Sequence, residues 1–337
     1  MAVVPSVAIC RACAYRERIE LPGPGRVVAN VGDNVTPADA VAFVVERGPL
    51  RTLNLAGSLR VEPRRVREFL AIKEGQSVRA DEVVAQREAM MRVLQVRAPA
   101  DGRVMAVGAG VALLEGFPSE RPLRGSIPGR VVEVVAGESL TVEGTGAVIV
   151  ASTMIGADFA GPLKMVAPVP ERVLRPEHID ATCHGAIIVG GVGDDPAALR
   201  RASEFGAQGA MLGSAPSSWA GMALPLPVVL CEGYGSAPMN RLAFDVFNDL
   251  AGSLTYVIRR GARVWVIAPA PVEARTHFSG PALAPLEAGA TVRVAGGPYA
   301  ATTAEVVDYL PSTGEAILKG ARERILVPAA NVEVVVM

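Results

Sequence analysis

The sequence predicts a multidomain protein that is mainly β, with a small α/β unit in its middle. The chain has 337 residues, which is more than one hydrophobic core usually supports. Half of the residues are hydrophobic, only 4% are aromatic, and 35 glycines and 26 prolines interrupt the sequence. Valine-rich segments between such turn residues are typical of short strands. We expect three domains, at residues 1–166, 167–270 and 271–337.

Two segments of the first domain repeat the same spacing of glycine, valine and alanine. The shared positions are Gly32, Val35, Val41 and Ala42 in the first segment and Gly75, Val78, Val84 and Ala85 in the second. A Gly-Arg-Val triplet also opens three valine-rich runs, at residues 25, 102 and 129. Glycine supplies the positive φ of tight turns, and period-two alternation then places one set of valines inside a barrel. The pattern predicts a duplicated β unit.

The stretch over residues 75–104 reads GQSVRADEVVAQREAMMRVLQVRAPADGRV. In residue type and spacing it resembles the biotinyl/lipoyl attachment domain, a barrel-sandwich hybrid of short antiparallel strands. In that family the hairpin tip reads Glu-Ala-Met-Lys-Met, and the lysine carries the prosthetic group. Here residues 88–92 read EAMMR, so Met91 stands where that lysine is required. The resemblance implies the scaffold, and the thioether implies that neither biotin nor lipoate is attached.

Met90, Met91 and Leu94 are the residues that we expect at a protein contact. Carrier domains expose this hairpin, so three apolar side chains there indicate a surface that a partner covers. The alternative interpretation is that they are ordinary core or loop residues of a barrel.

From about residue 167 onward, strands alternate with helices, which predicts a small βαβ layer. The continuous apolar run at residues 186–189 suits a buried parallel strand, and residues 197–205 suit a helix that ends at Gly206. Further strands are expected at residues 210–212, 227–230 and 264–267, with a helix at residues 241–250.

Glycine-rich loops follow two of these strands and are the candidate ligand loops. They contain Gly190, Gly191 and Gly193 in the first loop, and Gly233 and Gly235 in the second. A glycine loop between a strand and a helix can hold phosphate through its backbone N–H groups. The favoured interpretation of the first loop is a tight structural turn, because the two aspartates that follow it would compete with an anion.

Residues 289–300 read GATVRVAGGPYA and resemble the KOW motif of small SH3-like barrels. The usual turn glycines of that motif are replaced in residues 300–304, which read AATTA. The resemblance implies binding of RNA or of protein. If the barrel binds RNA, Arg293, Tyr299 and Arg322 are the expected contacts. Nearby acidic residues offset their charge, so a protein-binding or packing barrel is the favoured interpretation.

The remaining candidate sites are a cysteine pair and three histidines. Cys10 and Cys13 form a single CxxC, which lacks the second ligand pair that zinc needs. We interpret them as ordinary thiols in the N-terminal tail, and we expect no metal. His178, His184 and His277 have no evident partner within hydrogen-bond reach, so no residue is assigned to catalysis.

Taken together, the sequence predicts a non-catalytic scaffold that binds itself or another protein and assembles into rings or filaments. One alternative is an RNA-binding factor, associated with transcription or translation, that acts through the KOW-like barrel. A second alternative is an enzyme or sensor with a small-molecule site in the α/β unit. A net charge of −1 gives no general attraction to nucleic acid or to membranes. No membrane span and no signal peptide are evident, which favours the cytoplasm.

Overall fold

The computed structural model describes residues 2–89, 92–274, 276–278, 280, 282–320 and 323–337. Strands account for 50% and helices for 13%, which confirms that the protein is mainly β. Four hydrophobic clusters form its cores. Within the described ranges, no helix has the length and apolarity needed to cross a membrane.

The N-terminal elements form an outer group that is interrupted by an inserted group. The outer group begins with β1 (Val3–Glu20), β2 (Gly25–Val27), β3 (Asn34–Val35) and β4 (Ala40–Glu46). The inserted group comprises β5 (Leu50–Asn54), α1 (Leu55–Leu59), a 3₁₀ helix (Pro63–Phe69), β6 (Ser77–Val78), β7 (Val83–Ala89), β8 (Arg92–Arg97), β9 (Gly102–Gly108) and β10 (Val111–Gly116). The outer group then resumes with β11 (Ser119–Arg124), β12 (Gly129–Val135) and β13 (Ser139–Ala151).

The middle of the chain forms a mixed sheet of parallel and antiparallel strands, with helical segments packed on both of its faces. Its elements are β14 (Thr153–Ile155), β15 (Phe159–Met165), two 3₁₀ turns (Pro176–His178 and Ala181–Cys183), β16 (Ile187–Val189), α2 (Ala197–Glu204), β17 (Gly209–Ala215), a 3₁₀ helix (Ser217–Gly221), β18 (Val228–Tyr234), α3 (Arg241–Asp249), β19 (Leu254–Arg260) and β20 (Arg263–Pro269). Strands β15 to β18 are parallel neighbours in chain order, as the alternation of strands and helices predicts.

Both faces of this parallel sheet are buried. Ile187 and Val189 of β16 belong to the central hydrophobic cluster, which includes α3. Ile188 points the other way into the cluster that contains α2 and Trp219. A strand that lies between two cores has no solvent-facing side, which is why this one is apolar at every position. Each fully buried side chain of this size stabilises the fold by about 1.5–3 kcal/mol.

The pairing of the central strands, followed from one strand to the next, leads back to the first strand. β20 pairs with β19, β19 with β15, and the parallel strands lead on to β18. β18 pairs with β14, which continues from β13, and β13 in turn pairs with β20. The path of pairing therefore closes into a ring around the central cluster.

The C-terminal elements form a small antiparallel sheet with its own core. They are β21 (Thr276–Phe278), β22 (Leu283–Pro285), β23 (Thr291–Val294), β24 (Thr303–Leu310), β25 (Glu315–Lys319), β26 (Arg324–Pro328), a 3₁₀ turn (Ala329–Asn331) and β27 (Val332–Val336). The N-terminal strand completes this sheet, because residues Ser6–Ala8 of β1 pair in parallel with β27. The rest of β1, from Ile9 onward, pairs with β13. One long strand thus belongs to both the central sheet and the C-terminal sheet.

Candidate functional site

The inserted group sits where the outer group should have a hairpin tip. β4 and β11 pair antiparallel, and Glu46 opposite Ser119 is the last pair before the insertion. Inside the inserted group, β7 and β8 form the equivalent hairpin, whose last pair is Ala89 opposite Arg92. One copy of the unit therefore carries a second copy in place of its own tip.

The two copies share hydrogen bonds at matching positions. The Nε of Arg103 donates to the carbonyl oxygen of Gly75 at 2.9 Å, and the Nε of Arg130 donates to the carbonyl oxygen of Gly32 at 3.2 Å. Both glycines have positive φ, 82° and 101°, which explains why glycine occupies the position in each copy. The Gly-Arg-Val triplets at residues 102 and 129 therefore supply the arginine of the same hydrogen bond in each copy. We call such a repeated hydrogen bond, from an arginine side chain to a backbone carbonyl, an arginine latch.

A second arginine latch repeats in the same way. The Nη1 of Arg97 donates to the carbonyl oxygen of Asp81 at 2.8 Å, and the Nη1 of Arg124 donates to that of Ala38 at 2.7 Å. Each hairpin also carries a β-bulge just after the first residue of its first strand. These shared details confirm the duplicated β unit that the spacing of glycine and valine predicts.

The chain enters and leaves the insertion through a narrow neck. A Cβ atom on Gly48 would lie 1.8 Å from the carbonyl oxygen of Gly116, and the N–H of Gly116 donates to the carbonyl oxygen of Pro49 at 3.0 Å. No side chain fits between the two segments, so glycine is required where they cross.

Exposed apolar side chains lie around this neck and on the inner hairpin. Val45, Leu50 and Phe117 flank the neck and are 40%, 64% and 52% exposed. On β8, Val93 is 54% exposed. Single exposed apolar residues are ordinary, but three beside one crossing point form a surface that a partner can cover.

The hairpin residues expected at a protein contact are only partly described. Met90 and Met91 lie outside the described residues. Leu94 is half-buried and packs against the core of the inserted group, opposite Arg87 on β7. Its neighbour Val93 is the exposed apolar side chain of β8, which strand alternation could have revealed in the sequence.

The first glycine loop forms a tightly hydrogen-bonded turn after β16. The N–H groups of Gly190 and Gly193 donate to carbonyl oxygens of β17 at 2.9 and 2.8 Å. A Cβ atom on Gly191 would lie 2.2 Å from the carbonyl oxygen of Arg172. Two of the three amides therefore already have backbone partners, and the glycines permit close packing.

The second glycine loop ends β18. Gly233 and Gly235 have φ values of 84° and 142°, and the N–H of Gly235 donates to the carbonyl oxygen of Ala215 at 2.9 Å. Both glycine loops lie at the carboxyl edge of the parallel sheet, with β17 between them.

A buried ion-pair network joins the α/β unit to the C-terminal sheet. Arg293 on β23 is 3% exposed, and its Nη2 lies 2.5 Å from an oxygen of Glu333 on β27. Its Nη1 lies 3.7 Å from Glu232, which comes from β18. Arg263 at the rim of the network contacts the other oxygen of Glu333 at 2.5 Å.

Asn240 extends this network with hydrogen bonds to both units. Its side-chain Nδ2 donates to the carbonyl oxygen of Ala301 at 2.7 Å and to the hydroxyl of Thr303 at 2.8 Å. Its backbone N–H donates to Glu232 at 3.0 Å, and its Oδ1 caps α3 by accepting the N–H of Leu242. Every side-chain atom of this buried amide that can hydrogen-bond is thereby used.

Burial and charge act in opposite directions on the groups of this network. Burial raises the pKa of Glu232, and the attraction of Arg293 and the Asn240 hydrogen bond only partly oppose it. Burial also disfavours the charged form of Arg293, but Glu232 and Glu333 outweigh it and raise that pKa.

Of the three expected RNA contacts, the structure describes Arg293 and Tyr299. Arg293 faces carboxylates in the interior, so the structure corrects its assignment as an RNA contact. Tyr299 is 40% exposed in the turn before β24, and Arg322 lies outside the described residues. The sequence draws attention to Arg293, but it does not show that Arg293 pairs with Glu232, which lies far away in the chain and in another unit.

The expectation that Cys10 and Cys13 are ordinary thiols in the N-terminal tail is wrong. They are joined by a disulfide and are buried in β1, rather than being thiols in a tail. The register of β1 against β13 shifts between them, and this bulge brings side chains three residues apart to the same side. Cys10 lines a cavity of about 510 Å³, together with Leu242 and Val246 of α3.

Cys231 is the buried free thiol next to Glu232. Burial raises its pKa, so it remains protonated and is a poor nucleophile. Within the described part of the chain, no group of three or more His, Cys, Asp or Glu residues has the arrangement of a metal site.

Comparison with protein-family models gives no match to this chain. Comparison with curated proteins gives no significant match.

Because the same arginine latch occurs in both copies, equivalent substitutions should lower the free energy of unfolding by equal amounts. Arg103→Met and Arg130→Met should each lower the free energy of unfolding by about 1 kcal/mol, because each removes one side-chain hydrogen bond to a glycine carbonyl. Urea denaturation measures both. Arg67→Met is the control, since Arg67 is exposed and makes no side-chain hydrogen bond to a described residue. A cost for one latch arginine that is several times that of the other would contradict their equivalence.

Glu232 should make the stability depend on pH. Because its pKa is higher in the folded protein, its protonation favours folding below the ordinary value of 4.5, and this contribution is lost as the pH rises through the raised value. The unfolding free energy of the wild type minus that of Glu232→Gln should therefore fall as the pH rises across this window.

Denaturant titrations at several pH values measure this difference. Glu305→Gln is the control, because Glu305 is an exposed carboxylate of the same C-terminal sheet, paired with Lys319 at 3.7 Å. A wild-type minus Glu232→Gln difference that stays flat or rises with pH would show that Glu232 is not destabilised by burial.

Proposed function

We propose that this protein is a non-catalytic scaffold that self-associates through its inserted group. The observation that carries the proposal is the nested arrangement, in which the outer hairpin presents the inserted group and the inserted group presents a hairpin of its own. In the biotinyl/lipoyl-like scaffold that residues 75–104 resemble, the hairpin tip is the part that meets other proteins. In this chain the outer hairpin presents the inserted group, and the inserted group presents the β7–β8 hairpin. Residues 88–92, EAMMR, contain no lysine.

Surface chemistry supports a contact through the inserted group. β8 pairs on one side with β7, and no other described strand pairs with it. An edge strand with an exposed valine is suited to docking against another protein. The apolar side chains at the neck, Val45, Leu50 and Phe117, provide a second surface on the same part of the chain. A second copy of the chain is the partner we propose.

The buried network of Glu232, Arg293 and Glu333 supports the scaffold role in a different way. Its charged side chains pair with one another across two units. Breaking such a pair by removing one partner typically costs about 3–5 kcal/mol, so the network fastens the α/β unit to the C-terminal sheet. The inserted group is then an arm on a firmly joined body.

Substitution of the exposed valine tests the contact. Val93→Glu should leave the far-ultraviolet circular dichroism spectrum unchanged and shift the protein toward the monomer, because a charge in an apolar contact is costly to desolvate. Size-exclusion chromatography with light scattering measures the mass of the particles. Electron microscopy of the wild type then distinguishes closed rings from filaments.

Leu326→Glu is the matched control, because Leu326 on β26 has the same 54% exposure but lies in the C-terminal sheet. The proposal expects Leu326→Glu to assemble as the wild type does. A monomeric wild type, or equal disruption by both substitutions, would rule out assembly through the inserted group.

A further inference from the structure

The carboxyl end of β15 opens into a cavity of about 430 Å³ that lies apart from the inserted group. Small-molecule sites occupy roughly 300–1,000 Å³, so the space is sufficient for a ligand. Its floor is the chain from Lys164 to Pro168, and its walls carry His178, Asp180 and Asn248.

The cavity lies at the carboxyl end of a parallel strand, where α/β proteins commonly bind ligands. His178 ends one 3₁₀ turn and Asp180 caps the next, and Ile179 between them packs on the face covered by α2. Asn248 comes from α3, which packs on the opposite face with the central cluster. The connections thus pass to opposite faces at the carboxyl end of β15, which creates a crevice there.

The cavity contains two groups that can donate to an anion. Among the described residues, no carboxylate lies within ion-pair distance of Lys164, whereas Lys319 pairs with Glu305 at 3.7 Å. The Nδ1 of His178 accepts the backbone N–H of Arg175 at 3.2 Å, so the neutral ring carries its proton on Nε2. An ammonium group and an imidazole N–H are therefore available to one ligand.

Asp180 adds an acceptor with a fixed charge. Its Oδ1 accepts the backbone N–H of Thr182 at 2.9 Å and also the hydroxyl of that residue. These hydrogen bonds, helped by the positive charges of Lys164 and Arg201, lower the pKa of Asp180. Its Oδ2 makes no hydrogen bond to a described residue, so it can accept a hydroxyl group of a ligand.

The lining of the cavity therefore offers two donors, at Lys164 and His178, and one acceptor, at Asp180. A ligand that carries both an anionic group and hydroxyl groups can use all three, whereas a simple anion or a neutral sugar uses only some of them. We propose that this cavity binds a small polyhydroxylated carboxylate, with its carboxylate at Lys164 and His178 and a hydroxyl group at Asp180. This site is independent of the self-association proposed above.

The three lysines of the chain make a direct test possible. Reductive methylation with ¹³C-formaldehyde labels Lys73, Lys164, Lys319 and the terminal amine, and each dimethylamine retains its charge. Lys164→Arg assigns the Lys164 signal. Titration with gluconate should shift that signal in a saturable way, while the signals of Lys73 and Lys319 stay in place.

Acetate and glucose are the matched probes, because each has only one of the two features of gluconate. Each should bind at least tenfold more weakly than gluconate, the effect of losing about 1.4 kcal/mol of interaction. Isothermal titration calorimetry on unmethylated protein should show a similar loss for Lys164→Met and none for Lys319→Met. An unmoved Lys164 signal, equal shifts at all three lysines, or acetate binding as tightly as gluconate would overturn the proposal.

Discussion

The contact between Gly48 and Gly116 is the constraint on which the architecture of the N-terminal half depends. It brings the two ends of the insertion together, so a whole folded group can replace the turn of the β4–β11 hairpin without disturbing the strands on either side. Loop-closure cost rises only slowly with length, and an insertion whose ends already meet adds little of it. The outer unit therefore keeps the same bulge and the same arginine latches as the inner one.

The body beyond this insertion is held together by two other features. β1 crosses from the C-terminal sheet to the central sheet, so its residues contribute to both cores. The buried ion pairs of Arg293 with Glu333 and Glu232 also join the C-terminal sheet to the central part of the chain. Together they join units that a sequence-based division separates, because strand partners and buried ion pairs connect positions far apart in the chain.

Local patterns predict the elements of the fold better than their connections. The strand Ile187–Val189 and the helix Ala197–Glu204, which stops just before Gly206, follow from short-range rules. The repeated glycines at positions 32 and 75 predict the duplication correctly, but nothing in their spacing says that one copy lies inside the other. The disulfide of Cys10 and Cys13 depends on a bulge, and the cavity at Lys164 depends on α3 returning beside β15, so neither could be derived from spacing alone.

Excision of the insertion is the decisive experiment on the nested arrangement. Joining Glu46 to Ser119 through Asn-Gly would give the outer hairpin a two-residue tip, which matches the number of positions between the paired residues Ala89 and Arg92 of the inner hairpin. The shortened chain should fold with an unchanged cooperative melting transition of its body and should be monomeric in light scattering where the full chain assembles. A shortened chain that fails to fold would contradict the nested arrangement, and one that assembles like the full chain would contradict the role of the inserted group.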